Sequence, residues 1–401
     1  MSRPNQFLSP EGDLENYFVT EYWLIDQYVG DTLWTWGYNG SGGLGNNTII
    51  SRSTPATTFA GGTNWRSVGA GYDHMNSIKT DGTLWVWGDN SLGELGINNT
   101  ANRSTPVTTF AGGTNWKQVS GGRGYSAAIK TDGTLWTWGY NVYGMVGDNT
   151  TTQRNTPVTT FAGGKNWISV CASWYNMSAI KTDGTLWVWG NNVTAQLGIN
   201  SGVTARLTPV TTFAGGNNWK QVSVGLEDFA AIKTDGTLWV WGTNFYGTTG
   251  TNTTNVKSTP VTTIVGGTNW KQVSMGRYHT AAIKTDGTLW IWGNNSYGQL
   301  GINLAGALNG RSTPVTTFAG GTNWKQVSCG SFGFTSAIKT DGTLWVWGEN
   351  PRGGMGTNDV LMKCTPVTTF AGGTNWKQVG GSGYRYISAI TSGTDPTFFI
   401  S

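Results

Sequence analysis

Few residues in this 401-residue chain have side chains suited to catalysis or metal binding, and their spacing argues against both. An imidazole is the usual general base and the commonest metal ligand, yet the chain has only two histidines, His74 and His279, in equivalent slots of distant sequence units. No Ser-His-Asp or paired-carboxylate arrangement accompanies them. Cys171, Cys329 and Cys364 form no CxxC pair and occupy different slots, so they read as small apolar fillers, not as a zinc site or a disulfide framework. The fragments resembling GxGxxG are turn glycines with no helix after them, unlike phosphate loops. The expectation is a protein that binds without reacting, with no cofactor and no metal.

Composition points the same way. Sixty-one glycines and 23 tryptophans beside 11% charged residues suit an all-β chain rich in tight turns, and 37% apolar residues are enough for a packed core. The net charge of +4 is small, and the lysines recur at fixed repeat positions, so no basic patch is visible and nucleic acid is not an expected partner. The first 30 residues lack a charged region followed by an apolar run, and 18 consecutive apolar residues occur nowhere. No signal peptide and no membrane span are therefore expected.

The element that would position any site is a repeat. The segment Leu-Trp-x-Trp-Gly recurs with its first tryptophan at Trp34, Trp85, Trp136, Trp187, Trp239, Trp290 and Trp345. An Asn-Trp marker follows each at Trp65, Trp116, Trp167, Trp219, Trp270, Trp324 and Trp376, and each of those is preceded by a Thr-Pro marker, from Pro55 to Pro366. Seven units of about 50 residues, each holding several short strands, predict a seven-bladed β-propeller.

Within one unit, Thr105 to Phe110 reads as an edge strand, because its proline has no N–H for a central ladder. Gly112-Gly113 reads as the turn into a second strand, Asn115 to Ser120. A third strand, Ala127 to Lys130, leads through the Asp132-Gly133 turn into a fourth, Leu135 to Trp138, apolar on both faces. About 15 residues rich in Gly, Asn and Thr then read as the crossing to the next unit. The first copy begins at its last strand, Thr32 to Trp36, and the final copy stops after Tyr386 to Ile390. Pairing the N- and C-terminal strands in one blade would close the ring and remove its edges. The expected organisation is an extension over residues 1–30, a propeller over 31–390 and a tail over 391–401 that is able to add a closing strand.

The string Ala-Ile-Lys-Thr-Asp-Gly-Thr-Leu-Trp-Val-Trp-Gly, followed by Asn-x-x-Gly-x-Leu-Gly as in Asn90 to Gly96, resembles the RCC1 (regulator of chromosome condensation) repeat, including its bacterial and phage relatives. The resemblance covers residues 31 to 390 and implies the propeller fold. It also implies binding through loops on a rigid ring, as in relatives that are GTPase exchange factors, chromatin binders, ubiquitin ligase modules or a secreted β-lactamase inhibitor. The near-constant spacing leaves no room for the inserted wedge an exchange factor needs, and the secreted inhibitor meets the missing signal peptide.

Comparing the seven copies separates scaffold from variable positions. Lys-Thr-Asp-Gly-Thr-Leu-Trp hardly changes and reads as hairpin and core. Of the tryptophans, only Trp23 and Trp174 fall outside repeat slots. Variation gathers in the loop between the second and third strands of the unit, where aromatics dominate: Tyr72 and His74, Tyr125, Trp174 and Tyr175, Phe229, Tyr278 and His279, Phe332 and Phe334, Tyr384 and Tyr386. Equivalent loops of a ring share one end, so these twelve residues are the expected partner-binding circle. The slot holding His74, Tyr125, Asn176, Asp228, His279, Phe334 and Tyr386 has a plainer reading, packing beside the central channel. The polar crossing loops read as solvated connectors, with partner contact as their other reading.

These features lead to a structural binding protein of a virus particle, a phage tail, fibre or capsid-associated component, located in the virion. Its partners would be other particle proteins or a host surface. The N-terminal segment, with Tyr17, Phe18 and Trp23, would dock the ring or supply an extra strand. The alternatives are a cytoplasmic regulator binding a GTPase or another cellular protein, and a lectin-like glycan binder using the aromatic circle.

Overall fold

The computed structural model describes residues 31–380, 383 and 386–393. They form seven four-stranded antiparallel sheets arranged as the blades of a closed propeller. Tyr384 and the docking candidates Tyr17, Phe18 and Trp23 lie outside the described residues. Blade 1 takes its strands in chain order from the axis outward: Trp65–Ala70, His74–Lys79, Leu84–Gly88 and Arg103–Thr108. Blades 2 to 6 repeat this order over residues 116–159, 167–211, 219–262, 270–316 and 324–368. Blade 7 joins the chain ends, with Trp376–Val379 and Tyr386–Thr391 on the inside and Thr32–Gly37 and Arg52–Thr57 on the outside. Thr32 lies opposite Thr391 and Gly37 opposite Tyr386, so the closure predicted from the sequence is present, with two strands from each end.

The frame of the unit differs from the reading above. The Thr-Pro strand pairs backward, Val107 opposite Val86 and Thr108 opposite Trp85, so it is the outer edge of the preceding blade. Gly112-Gly113, at φ 52° and 86°, crosses to the next blade instead of turning a hairpin. The long Asn/Thr loop is internal to a blade and is folded around a buried asparagine. Asn90 donates its amide to the carbonyls of Asn99 (2.8 Å) and Ala101 (3.2 Å) and accepts the Leu95 N–H (2.9 Å). An asparagine fills this buried slot in all seven blades, from Asn39 to Asn350.

The core lies between blades. One cluster packs Ile78, Leu84, Val86 and Leu95 of blade 1 against Trp116, Val119, Ala128 and Trp138 of blade 2. A buried indole withdraws roughly 200 Å² from water, on the order of 5 kcal/mol by area. The second Trp of Leu-Trp-x-Trp also clamps the joint: Trp138 Nε1 donates to the Glu94 carbonyl of blade 1 at 2.7 Å, and Trp347 to the Gln299 carbonyl at 2.8 Å.

At the axis, glutamine amides join inner strands too far apart to share a ladder. Gln118, Gln221, Gln272 and Gln326 each donate to a valine carbonyl in the next blade, at 2.9–3.2 Å, and accept that valine's N–H. Ser67 and Ser169 hold this slot in blades 1 and 3. In blade 1, Arg66 donates instead to the Trp116 carbonyl at 2.6 Å.

Antiparallel order gives the ring two distinct ends. Connections between the first and second strands and between the third and fourth lie at one, the loop end. The Thr-Asp-Gly hairpins and the crossings between blades lie at the other, the hairpin end. In each complete hairpin the aspartate side chain accepts from the second Thr, as Asp81 does from the Thr83 N–H at 2.9 Å. The hairpin lysine sits over two tryptophans, Lys79 at 4.8 Å from Trp65 and 4.6 Å from Trp85. Just beyond each outer strand an apolar side chain stands in solvent: Phe59, Phe110, Phe161, Phe213, Ile264, Phe318 and Phe370 are 57–68% exposed. Among the described residues, no helix is long and apolar enough to cross a membrane.

Candidate functional site

The seven inner strands enclose an axial channel of about 420 Å³. At the loop end its wall passes into the connections between first and second strands, where the copies diverge most. Tyr72 of blade 1, Trp174 of blade 3 and Phe332 of blade 6 meet across the axis. Tyr72 lies edge-on to Trp174 with centroids 5.1 Å apart and 6.1 Å from Phe332, and Trp174 is 6.3 Å from Phe332. Two guanidiniums attend the indole. Arg123 of blade 2 is 4.8 Å from the Trp174 ring and also faces Tyr72 and Tyr175. Arg277 of blade 5 is 4.7 Å from it and reaches Tyr278 (4.6 Å) and Phe332 (4.9 Å). A cation over a shielded aromatic face contributes about 1–2 kcal/mol.

The ridge continues outward on both sides. Tyr278 meets Tyr246 at 4.7 Å and Tyr246 meets Phe245 at 4.9 Å; on the other side Tyr175 meets Tyr143 at 5.4 Å. Beside Phe245 and Tyr246 runs a groove of about 480 Å³, bordered by Glu227 and Arg277. Arg123 donates to the Tyr175 hydroxyl, while the Arg277 Nε–H is buried with no acceptor among the described residues. Among the described residues neither arginine has a carboxylate ion-pair partner.

The predicted circle is thus divided. Tyr72, Trp174, Tyr175, Tyr278 and Phe332 join the ridge. Tyr125, His74, His279, Phe229, Phe334 and Tyr386 are buried between blades and do not reach it. Tyr125 donates its hydroxyl to the Asn176 carbonyl at 2.7 Å, and Tyr386 to the His74 carbonyl at 2.7 Å. Phe229 stacks on Trp241 with centroids 5.4 Å apart. His74 Nε2 is 2.8 Å from the Ser126 hydroxyl and His279 Nε2 is 2.9 Å from that of Thr335, each bond crossing a blade joint. Burial lowers the two imidazoles to about 4 and about 3, so they are neutral at pH 7. Sequence reasoning missed Arg123, Arg277, Tyr143, Phe245 and Tyr246; the arginines in loops dominated by aromatics were the available signal.

Blade 1 carries acids beside this end. Burial, with repulsion from Asp89, lifts the Asp73 carboxyl to about 7 against the lowering pull of Arg123. Burial likewise lifts Glu94 to about 7. Among the described residues no cluster of His, Cys, Asp and Glu could hold a metal ion.

A model of the regulator of chromosome condensation (RCC1) repeat matches residues 31–76, 81–129, 132–180, 235–283 and 286–335. A second model of the same repeat matches 65–94, 116–144, 270–299 and 324–353. The chain is 30% identical over 274 residues to the ultraviolet-B receptor UVR8 of Arabidopsis thaliana, covering 67% of this chain and 62% of the receptor. It is 27% identical over 358 residues to the mitochondrial RCC1 domain-containing protein RUG3 of the same plant, covering 79% of this chain and 77% of the relative. The fold is that of Prp20p from Saccharomyces cerevisiae, with a TM-score of 0.77 at 18% identity, covering 92% of this chain and 94% of Prp20p. With repeat matches over more than half its length, on a ring whose blades and closure follow the same repeat, the chain belongs to the RCC1 repeat family.

Proposed function

We propose that this chain is a non-enzymatic regulator that holds a partner protein on the loop end of its ring. One observation carries the reading: Tyr72, Trp174 and Phe332, from three separate blades, converge over the channel mouth with Arg123 and Arg277 against their rings. Trp, Tyr and Arg at the centre of a rigid surface are the residues that dominate protein interfaces. Regular strands hold the loops, so little conformational entropy is lost on binding.

The relatives support a cellular setting. One is a receptor, and the solved structure of Prp20p is described together with its binding to Gsp1p and histones. The virus-particle role finds no support among them, so a regulator of a cellular protein is the preferred reading. A glycan site is disfavoured because stacking on a sugar needs an open aromatic face, and Trp174 is only 9% exposed; its indole backs the more accessible Tyr72, Phe332, Arg123 and Arg277, which a protein partner would meet.

The test is quantitative capture from the native source with full-length protein, its Arg277→Ala variant and a hairpin-end control, Phe213→Ser. The expected result is one partner retained by wild type and control and reduced at least tenfold by Arg277→Ala. A partner held equally by all three would place the interface elsewhere.

A further inference from the structure

The second residue of each inner strand, just after the buried Trp of Asn-Trp, stands exposed where the channel opens at the hairpin end. Six of the seven slots are cationic: Arg66, Lys117, Lys220, Lys271, Lys325 and Lys377, with Ile168 in the other. In sequence these residues are about 50 positions apart and form no cluster. The ring brings them around one opening.

Little at this end offsets them. Six hairpin lysines are matched by six hairpin aspartates, and among the described residues the one ion pair to the slot cations joins Lys377 to Asp31. The exposed phenylalanines stand at the same end of the ring, just beyond the outer strands. A binder suited to this face would carry acidic and aromatic residues together.

The chain has such a segment, and it attaches here. Thr32 starts the third strand of blade 7 and Thr391 ends the second, so Asp31, the first described residue, lies at the hairpin end, where its carbonyl accepts the Trp65 N–H at 3.0 Å. Residues 1–30 hold five acids, Glu11, Asp13, Glu15, Glu21 and Asp26, against the single base Arg3, together with Tyr17, Phe18, Tyr22 and Trp23. Thirty residues reach as far as about 100 Å when extended, so distance does not restrict them. We propose that the N-terminal segment, residues 1–30, docks on the cationic, phenylalanine-studded hairpin end of its own ring. This rests on the charge and placement of the hairpin end and stands independently of the partner reading.

The test is zero-length carbodiimide coupling of the full-length chain, mapped by mass spectrometry on an equal mixture of isotopically labelled and unlabelled protein. The expected products join Glu11, Asp13, Glu15 or Glu21 to Lys220, Lys271 or Lys325 within one chain. They should fall several-fold at about 1 M salt, where the screening length shrinks to about 3 Å. Coupling to the loop-end lysines Lys257 and Lys363, coupling between labelled and unlabelled chains, or no coupling while hairpin pairs such as Asp286 and Lys284 react would each overturn the proposal. As a second measurement, the surface variant Lys220→Glu/Lys271→Glu/Lys325→Glu should be cut several-fold faster at Glu11, Glu15 and Glu21 by a glutamate-specific protease; an unchanged rate would also overturn it.

Discussion

Gln326 of blade 6 and Val379 of blade 7 hold each other twice, the side-chain amide donating to the valine carbonyl at 2.9 Å and accepting its N–H at 3.1 Å. The amide mimics a neighbouring strand where none is close enough to pair, and it does so at the joint beside the closing blade. Gln326→Ala should cost about 1–2 kcal/mol in urea unfolding, since channel water can replace part of the pairing. Gln326→Glu should cost more at pH 8 than at pH 4, because an ionised carboxylate cannot donate to the Val379 carbonyl. Equal losses at both pH values would show that the pairing does not bear on stability.

Glu94 should be a source of alkaline instability. Its folded carboxyl is lifted to about 7 from an ordinary 4.5. The folded state therefore holds more protons than the unfolded state between those values, and stability falls as pH rises through this window. Gln299 fills the same slot in blade 5, accepting the Tyr297 N–H at 2.9 Å and donating to Asn294 at 2.9 Å. Glu94→Gln should stabilise the ring on the order of 2 kcal/mol at pH 8 and almost nothing at pH 4. Thermal unfolding at the two pH values measures it.

His74 and His279 give the opposite sign. Their folded pKa values, about 4 and about 3, lie below the ordinary 6.5, so the unfolded chain takes up protons first and stability is lost as pH falls below about 6.5. With two histidines in the chain, two imidazole signals are expected by NMR, and neither should titrate between pH 7.5 and 5. A midpoint near 6.5 for either would mean that its blade joint admits water.

Two glycines with similar backbones should respond differently to alanine. Gly96 has φ 63°, and a Cβ there would lie 2.8 Å from the Trp138 ring of the next blade. Gly112 has φ 52° with nothing within 4 Å. Gly112→Ala should cost about 1 kcal/mol of left-handed strain. Gly96→Ala should cost about 2–4 kcal/mol, with overpacking against the indole added. Chemical denaturation of both variants decides whether the clamp around Trp138 is as tight as it looks.

The fold was largely legible because each marker recurs seven times, so the spacing of any one marker along the chain reveals the period. The frame of a blade was not. The Gly112-Gly113 crossing is short and resembles a hairpin, while the long loop after Gly88 resembles a crossover; only the pairing of Val107 with Val86 distinguishes them. For the candidate site, Trp174 stood out by breaking the repeat. Arg123 and Arg277 did not, because their partners belong to blades distant in sequence and meet only through the circular arrangement. The lysines show the same blindness: regular spacing along a chain reads as dispersion, whereas on a ring it becomes concentration at one mouth.

The closing blade leaves the two ends of the ring beside each other, Thr32 opposite Thr391 with Ser392 bonded to the Asn375 carbonyl at 2.9 Å. A ring joined in this way has no preferred starting point. Linking residue 392 to residue 31 through a short hairpin and opening the chain at the Gly112-Gly113 crossing, where Gly113 is exposed, would give a circular permutant with every blade drawn from one continuous stretch. The same adjacency suits the ring to insertion within a loop of a host protein, because its entry and exit lie side by side.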